Sequence, residues 1–293
     1  MADELEWDPE LDELRAREQM AERMGGEEKV ARQHDRGKLD IRQRLQKLLD
    51  PGTFHEIGKI AGTAAYDPDG ELVDLTPSNF VFGRGQIDNR PVVLAGDDFT
   101  VRGGAADASI VAKQIAAEQM ARELRLPIVR LIDGTGGGGS VKTLDTKAEE
   151  DGSNIDGSIG KGARTYVPLN PAWDHVVANL ATVPTVALCL GPVAGLGAAR
   201  AVSSHYSVMV KGLSQLFVAG PPVVNALGGE QVDKESLGSS RVHTRNGAVD
   251  DEASSEDEAF ERTRRFLSYL PSSVHELPQR GPVTDDPGRT DRG

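Results

Sequence analysis

The chain carries a single thiol, Cys189. One cysteine rules out an internal disulfide framework and any CxxC zinc ribbon. Cys189 lies inside the apolar run VPTVALCLG, where it reads as a small buried hydrophobe rather than a nucleophile. The six histidines are scattered, and neither HxxxH nor HExxH spacing occurs, so no protein-bound metal site is expected. Basic residues are in deficit. Lys and Arg total 33 against 46 Asp and Glu, a net charge of −13. That balance argues against nucleic-acid binding and against docking on an anionic membrane. No run reaches the ~18 apolar residues a membrane helix needs. The acidic start, MADELEWDPE, lacks the apolar core of a signal peptide, which makes the cytoplasm the expected compartment. Aromatic residues are scarce at 4%. No GxSxG elbow is present either.

Glycine is what the chain has in excess. It makes up 33 of 293 residues and is gathered in a few clusters rather than spread as a linker. Clustered glycine places backbone close to a ligand or to other backbone. At 293 residues, one large α/β domain or two small ones are expected.

Residues 1–24 read as an acidic amphipathic helix stopped by Gly25-Gly26, and 27–50 as a second helix interrupted near Gly37 and ended by Pro51-Gly52. The pair is either an arm that packs on a partner or a hairpin capping its own domain. From residue 80, strand-length apolar runs appear at 91–95, 127–132, 183–190 and 206–210. Such near-continuous runs mark strands buried in α/β sheets. Helical stretches at about 106–125 and 172–181 separate them, giving the strand–helix–strand crossover of an α/β domain. The acidic run 250–258 reads as a solvated surface loop and helix start, followed by a helix that ends at Pro271. Beyond it, a proline-bearing tail without apolar periodicity is expected to stay disordered.

Four glycine-bearing turns follow the strand-like runs. The segment 133–140, Asp133-Gly134-Thr135 followed by four glycines, could expose N–H groups to an anion or simply be a flexible loop. It is neither a Walker A motif nor a GxGxxG turn. The segment 191–200, GPVAGLGAAR, reads as strand, tight turn and helix start. Two readings stand: its free N–H groups form an oxyanion hole, or its glycines serve only tight strand–helix packing. The third turn is 98–105, DFTVRGGA, and the fourth is 216–224, LFVAGPPVV. Together they point to one lined cleft with catalysis by backbone N–H groups rather than a triad. His205 and His243 read as loop or core histidines.

These segments, in this order and spacing, resemble the carboxyltransferase (β) subunits of biotin-dependent acyl-CoA carboxylases, the propionyl-, acetyl- and methylcrotonyl-CoA group. The likeness runs from about Arg32 to Pro271. It rests on RQHDRGKLDIRQRLQKLLDPGTF (32–54), Phe82-Gly83-Arg84-Gly85-Gln86-Ile87, DDFTVRGGA (97–105), LIDGTGGGGS (131–140) and GPVAGLGAAR. It continues through LFVAGPPVV, GGEQVDKESLGSSRVH (228–243) and RRFLSYLP (264–271). The resemblance implies an α/β crotonase-like fold, a spiral of ββα units with two near-perpendicular sheets and flanking helices. It divides the chain into a helical arm (1–50), a carboxyltransferase N-terminal domain (51–271) and a tail (272–293).

The activity implied is transfer of CO₂ from carboxybiotin, carried on a partner protein, to the α-carbon of an acyl-CoA. Gly195 and Leu196 stand where the family's Gly-Gly amides form the thioester oxyanion hole. Leu196 replaces the second glycine, and its side chain reshapes the acyl pocket. The acyl-CoA contacts implied are Arg102, Gly103, Gly104, Gly134, Gly136, Gly137, Gly197, Ala219 and Gly220. The partners implied are a biotinylated carrier or biotin carboxylase subunit and a C-terminal carboxyltransferase domain, in a homo- or hetero-oligomer. An acyl-CoA decarboxylase subunit and a non-catalytic structural half are the alternatives. A hydratase or isomerase would want a pair of acids beside the hole, and 191–210 contains none.

Overall fold

The computed structural model describes residues 7–105, 110–134, 171–226, 228, 231–272, 275–278, 280–282, 284–286 and 288–290. The N-terminal arm holds three helices: α1 (Asp8–Glu22), α2 (Glu27–Asp35) and α3 (Ile41–Leu48). The expected second helix is thus two, broken at Gly37, whose φ of +73° suits glycine. A capping box starts α3: Asp40 Oδ1 accepts the Gln43 N–H at 2.9 Å, and Gln43 accepts the Asp40 N–H in return.

Next come β1 (His55–Glu56), β2 (Gly62–Tyr66), β3 (Leu72–Pro77), β4 (Phe80–Ile87) and β5 (Arg90–Asp97). They lead to α4 (Val111–Leu124), β6 (Ile128–Gly134), α5 (Pro171–Leu180), β7 (Thr185–Ala194), α6 (Leu196–Val202) and β8 (Tyr206–Val210). The chain continues with β9 (Gln215–Phe217), α7 (Pro221–Ala226), α8 (Lys234–Gly238), α9 (Ser240–Asn246), β10 (Asp251–Ala253) and α10 (Glu256–Ser268). The four apolar runs become the cores of β5, β6, β7 and β8.

The main sheet runs β1-β4-β5-β6-β7-β8-β10. β4 and β5 form an antiparallel hairpin turning at Asp88-Asn89, both with positive φ, as a two-residue hairpin turn requires. From β5 to β10 the pairings are parallel. β7 is ten residues long and serves two neighbourhoods. Its first part lies between β6 and β8, and Pro192–Ala194 pair with β9.

Alternation divides the core. Val129, Leu131, Val186, Leu188, Val208 and Val210 pack on the face covered by α3 and α10. On the opposite face, Ile132, Ala187, Cys189 and Met209 meet Ala198 and Ala201 of α6. Phe80, Phe82, Val93 and Ile128 meet Ala117 and Ala121 of α4. Cys189 is fully buried, and that burial pushes its thiol up to about 12, so it behaves as the inert hydrophobe expected.

The acidic run 250–258 corrects its reading as a solvated loop. Asp251–Ala253 form edge strand β10, and Glu256 is buried. The reason is Arg44. This α3 residue is fully buried, and its Nε donates to Glu256 Oε2 at 2.6 Å. Its Nη1 donates to Asp133 Oδ2 at 2.9 Å, and its Nη2 to the Leu190 carbonyl at 3.0 Å. Lys38 Nζ completes the cluster on Asp133 Oδ1 at 2.7 Å. Arm, sheet and final helix thus meet at one guanidinium.

Two measurements check this packing. Arg44→Met leaves Asp133 and Glu256 buried without their shared cation. It should cost about 3–5 kcal/mol in urea unfolding, as breaking a buried pair does. Lys47→Ala, which removes an exposed pair with Asp257, should stay within about 0.5 kcal/mol.

The second concerns Lys113 on α4, which is 6% exposed. Burial pushes its amine down to about 8, with Glu56 opposing and Arg42 reinforcing that shift. Below pH 8 the amine is charged in folded and unfolded chains alike, and the burial penalty is present in full. From about 8 to 10.5 only the unfolded chain keeps the proton, so the penalty fades as pH rises. Lys113→Met should therefore raise the urea midpoint at pH 7, and that gain should shrink toward pH 10. The Cys189 thiol titrates in both proteins and cancels in the difference.

Candidate functional site

The glycine-bearing turns sit at the C-terminal ends of β5, β6 and β7, the edge of a parallel sheet where ligands bind in open α/β folds. After β5, the Asp98 carboxylate accepts the Thr100 N–H at 2.9 Å and its Oγ1–H at 2.6 Å. Gly25 of the arm donates its N–H to Thr100 Oγ1 at 2.9 Å, which ties the arm to this turn. Arg102, Gly103 and Gly104 then follow with φ of +55°, +64° and +68°. Asn79 Nδ2 holds the turn's exit by donating to the Ala105 carbonyl at 2.6 Å.

The second turn begins at Asp133-Gly134, and the two turns touch backbone to backbone. A Cβ on Gly104 would stand 2.6 Å from the Asp133 carbonyl oxygen, and one on Gly134 would stand 2.8 Å from that of Gly103. Neither contact admits a side chain. Gly197 extends the line, since a Cβ there would lie 3.4 Å from the Gly134 carbonyl oxygen. Gly104, Gly134 and Gly197, far apart in sequence, are thus adjacent in space. Gly191 has a different purpose: a Cβ on it would overlap the Asp133 carboxylate at 2.1 Å and the Lys38 amine at 2.6 Å.

The third turn corrects part of the sequence reading. Gly195 adopts φ +61° and ψ −127° just before α6. Its N–H is already bonded, donating to the Phe217 and Val218 carbonyls at 3.1 Å each. It is therefore no oxyanion donor in this geometry. Among the described residues, the N–H groups of the first turn of α6, at Leu196, Gly197 and Ala198, have no acceptor. Gly195 shapes the turn, and the N–H groups left without an acceptor begin one residue onward. Leu196 is 39% exposed.

The remaining predicted residues are placed unevenly. Arg102 is exposed and Gly103 half-buried on the first turn. Ala219 and Gly220 follow the carbonyls that hold Gly195 and lead into α7, where the Gly220 carbonyl accepts the Val223 N–H at 3.0 Å. A Cβ on Gly220 would meet only Phe217 and Pro222, not the other glycine turns. Gly136 and Gly137 lie outside the described residues. Both histidines near the motifs are structural. His243 Nε2 bonds the Leu216 carbonyl at 2.7 Å, and His205 Nδ1 bonds Thr185 Oγ1 at 2.9 Å.

Sequence reasoning missed the charges beneath these turns. Asp97, Asp98 and Asp133 are all buried. Asp133 is held by Lys38 and Arg44, and Asp97 by Arg200 Nη2 through both oxygens at 3.1 Å. Burial pushes the Asp97 and Asp98 carboxyls up, against the pull of Arg200 and Thr100 respectively. None of the three carboxylates is left over to act as a base. Only a different buried charge was signalled in the sequence: Arg130 interrupts the apolar run PIVRLI, and a cation inside a buried strand demands a partner, here Glu118 of α4.

The carboxyl transferase domain family matches residues 32–292. The chain is 29% identical over 280 residues to a propionyl-CoA carboxylase carboxyltransferase subunit of Haloferax mediterranei, covering 95% of this chain and 50% of that protein. It is 30% identical over 268 residues to the methylmalonyl-CoA decarboxylase subunit alpha of Veillonella parvula, covering 91% and 49%. Among solved structures, a transcarboxylase 12S hexamer core with methylmalonyl-coenzyme A and methylmalonic acid bound superposes with a TM-score of 0.75 at 27% identity. It covers 95% of this chain and 50% of that one. The chain spans about half the length of these relatives. With three glycine turns meeting at the strand exits and a family match over most of its residues, the chain belongs to the carboxyl transferase domain family and has its crotonase-like α/β fold.

Proposed function

We propose that this chain is the acyl-CoA-binding half of a carboxyltransferase in a biotin-dependent acyl-CoA carboxylase. In this reading CO₂ moves from carboxybiotin, held on a partner, to the α-carbon of the acyl-CoA. One observation carries it: among the described residues, N–H groups without an acceptor stand at the meeting point of the glycine turns, while the buried carboxylates beneath them are already engaged, Asp97 by Arg200, Asp133 by Lys38 and Arg44, and Asp98 by Thr100. A site of donors with no uncommitted carboxylate among the described residues suits a reaction whose base arrives with the cofactor. When bound, carboxybiotin would supply the CO₂, and the biotin N1′ freed by its release would accept the α-proton.

This chain's own part is to orient the thioester and to hold its enolate oxygen. The Leu196 and Gly197 N–H groups are the proposed donors, and the positive end of α6 lies behind them. The Gly104–Gly134 contact brings the neighbouring backbone close enough to bound CoA to shape its path. Leu196 and Val218, whose carbonyl accepts the Gly195 N–H, are both exposed and give the mouth an apolar character. Exposed apolar surface of this kind marks a missing partner. The partners that go with the reading are the C-terminal carboxyltransferase half and a biotinylated carrier or biotin carboxylase subunit, in the cytoplasm. Similarity to decarboxylase alpha subunits supports a second reading, the same chemistry run toward loss of CO₂.

Calorimetric titration tests the reading first. Propionyl-CoA should bind the purified chain saturably, whereas no CoA binding would leave a structural half as the better account. The chain alone should transfer no carboxyl group from free carboxybiotin, and adding the C-terminal half should restore transfer. In that restored complex, the favoured direction of CO₂ movement separates carboxylase from decarboxylase. Leu196→Gly should keep the rate and alter acyl preference. Leu196→Pro removes one N–H and should lower kcat by about 10²–10³, with its fold checked by circular dichroism.

A further inference from the structure

One carboxylate links the exits of β5 and β6 to the helix that follows β7. Asp97 is the last residue of β5 and is 5% exposed. It accepts the Asp133 N–H of β6 at 3.2 Å. It also accepts Arg200 Nη2 of α6, the helix that follows β7, through both oxygens at 3.1 Å. A second buried arginine secures the far end of α6. Arg130 of β6 is fully buried and pairs with both oxygens of Glu118 on α4, at 2.7 and 2.9 Å. Its remaining nitrogen donates to the carbonyls of Ser203 at 2.7 Å and Arg200 at 3.3 Å, and to Ser204 Oγ at 3.1 Å. The carbonyls at the C-terminal end of α6 thus finish on a cation, where the helix dipole favours one.

α6 has only seven residues. A helix that short does not hold its place by its own propensity, so its neighbours set it. Apolar contacts through Ala198 and Ala201 fix which face is inward but leave sliding and rotation open. Buried ion pairs are weak devices for stability, because apolar residues of similar volume do as well or better. Their use is to select one arrangement. Two such pairs converge on this helix from two different strands.

We propose that Asp97, Arg200 and Arg130 are positioning residues. They lock α6 along and about its axis, and so set the spacing between the Gly134 turn and the Leu196 and Gly197 N–H groups. The inference rests on the reading of those N–H groups as thioester donors.

Isotope-edited infrared spectroscopy of [1-¹³C]propionyl-CoA bound to the full chain separates the two. In the wild type, donation to the thioester oxygen should move the carbonyl band to lower wavenumber than in free ligand. Asp97→Asn, equal in size, and Arg200→Met should lose at least half of that displacement. Both should still bind CoA itself with affinity close to wild type, and Arg200→Lys should recover part of the loss. A role in general stability alone would not divide the carbonyl shift from CoA affinity in this way. Should Arg200→Met fail to fold by circular dichroism, Asp97→Asn carries the test, with amide exchange across 196–202 reading the loosened helix. No displacement in the wild type would overturn the site reading and this inference with it. A full displacement kept by the folded variants would overturn the inference alone.

Discussion

Arg44 is the group on which the rest of the structure depends. Its partners Asp133 and Glu256 lie 89 and 212 residues away in sequence, and it is fully buried among them. A guanidinium taken out of water is costly unless its fork is filled, and here every arm of the fork has an acceptor. The arrangement therefore exists only when the arm, the exit of β6 and the start of α10 are all in place. None of the three is an optional appendage. The Leu39 N–H adds to this by donating to Glu256 Oε1 at 3.0 Å, so the turn before α3 is read by the same carboxylate.

From that anchor the site follows in steps. Fixing Asp133 fixes the end of β6, and Gly134 comes immediately after it. Gly134 then meets Gly104 at a separation that only backbone can occupy. Buried charge below and bare backbone above are two faces of one constraint: the strand exits approach so closely that side chains are excluded from the upper side and neutralised on the lower.

Much of this was legible in the sequence, and the limits are physical. The parallel strands could be read because burial on both faces makes a strand largely apolar, as β6 shows from Ile128 to Gly134 apart from Arg130 and Asp133. The glycine turns could be read because their spacing and order resemble a family. β1 to β3 were harder, since β2 is exposed or half-buried along its length and carries no apolar signal. The acidic run around Glu256 misled because charge density says nothing of a partner 212 residues earlier. The choice of donors at 195–197 turned on whether one N–H was already bonded, and that depends on β9 supplying the Phe217 carbonyl. Hydrogen-bond occupancy is a tertiary property with no local signature.

The contact at Gly191 has a consequence for how such a chain changes over generations. The space where its side chain would stand is filled by the Asp133 carboxylate and the Lys38 amine. Replacing Gly191 alone would drive a methyl group into an ion pair and break it. Shortening Lys38 first would open room for that methyl but leave Asp133 with Arg44 alone. The three positions are therefore coupled in this chain: a side chain at 191 is tolerated only if the ion pair beside it is rebuilt first, so the order in which they change matters. Gly191 is set by the Asp133 carboxylate and the Lys38 amine beside it, not by a ligand.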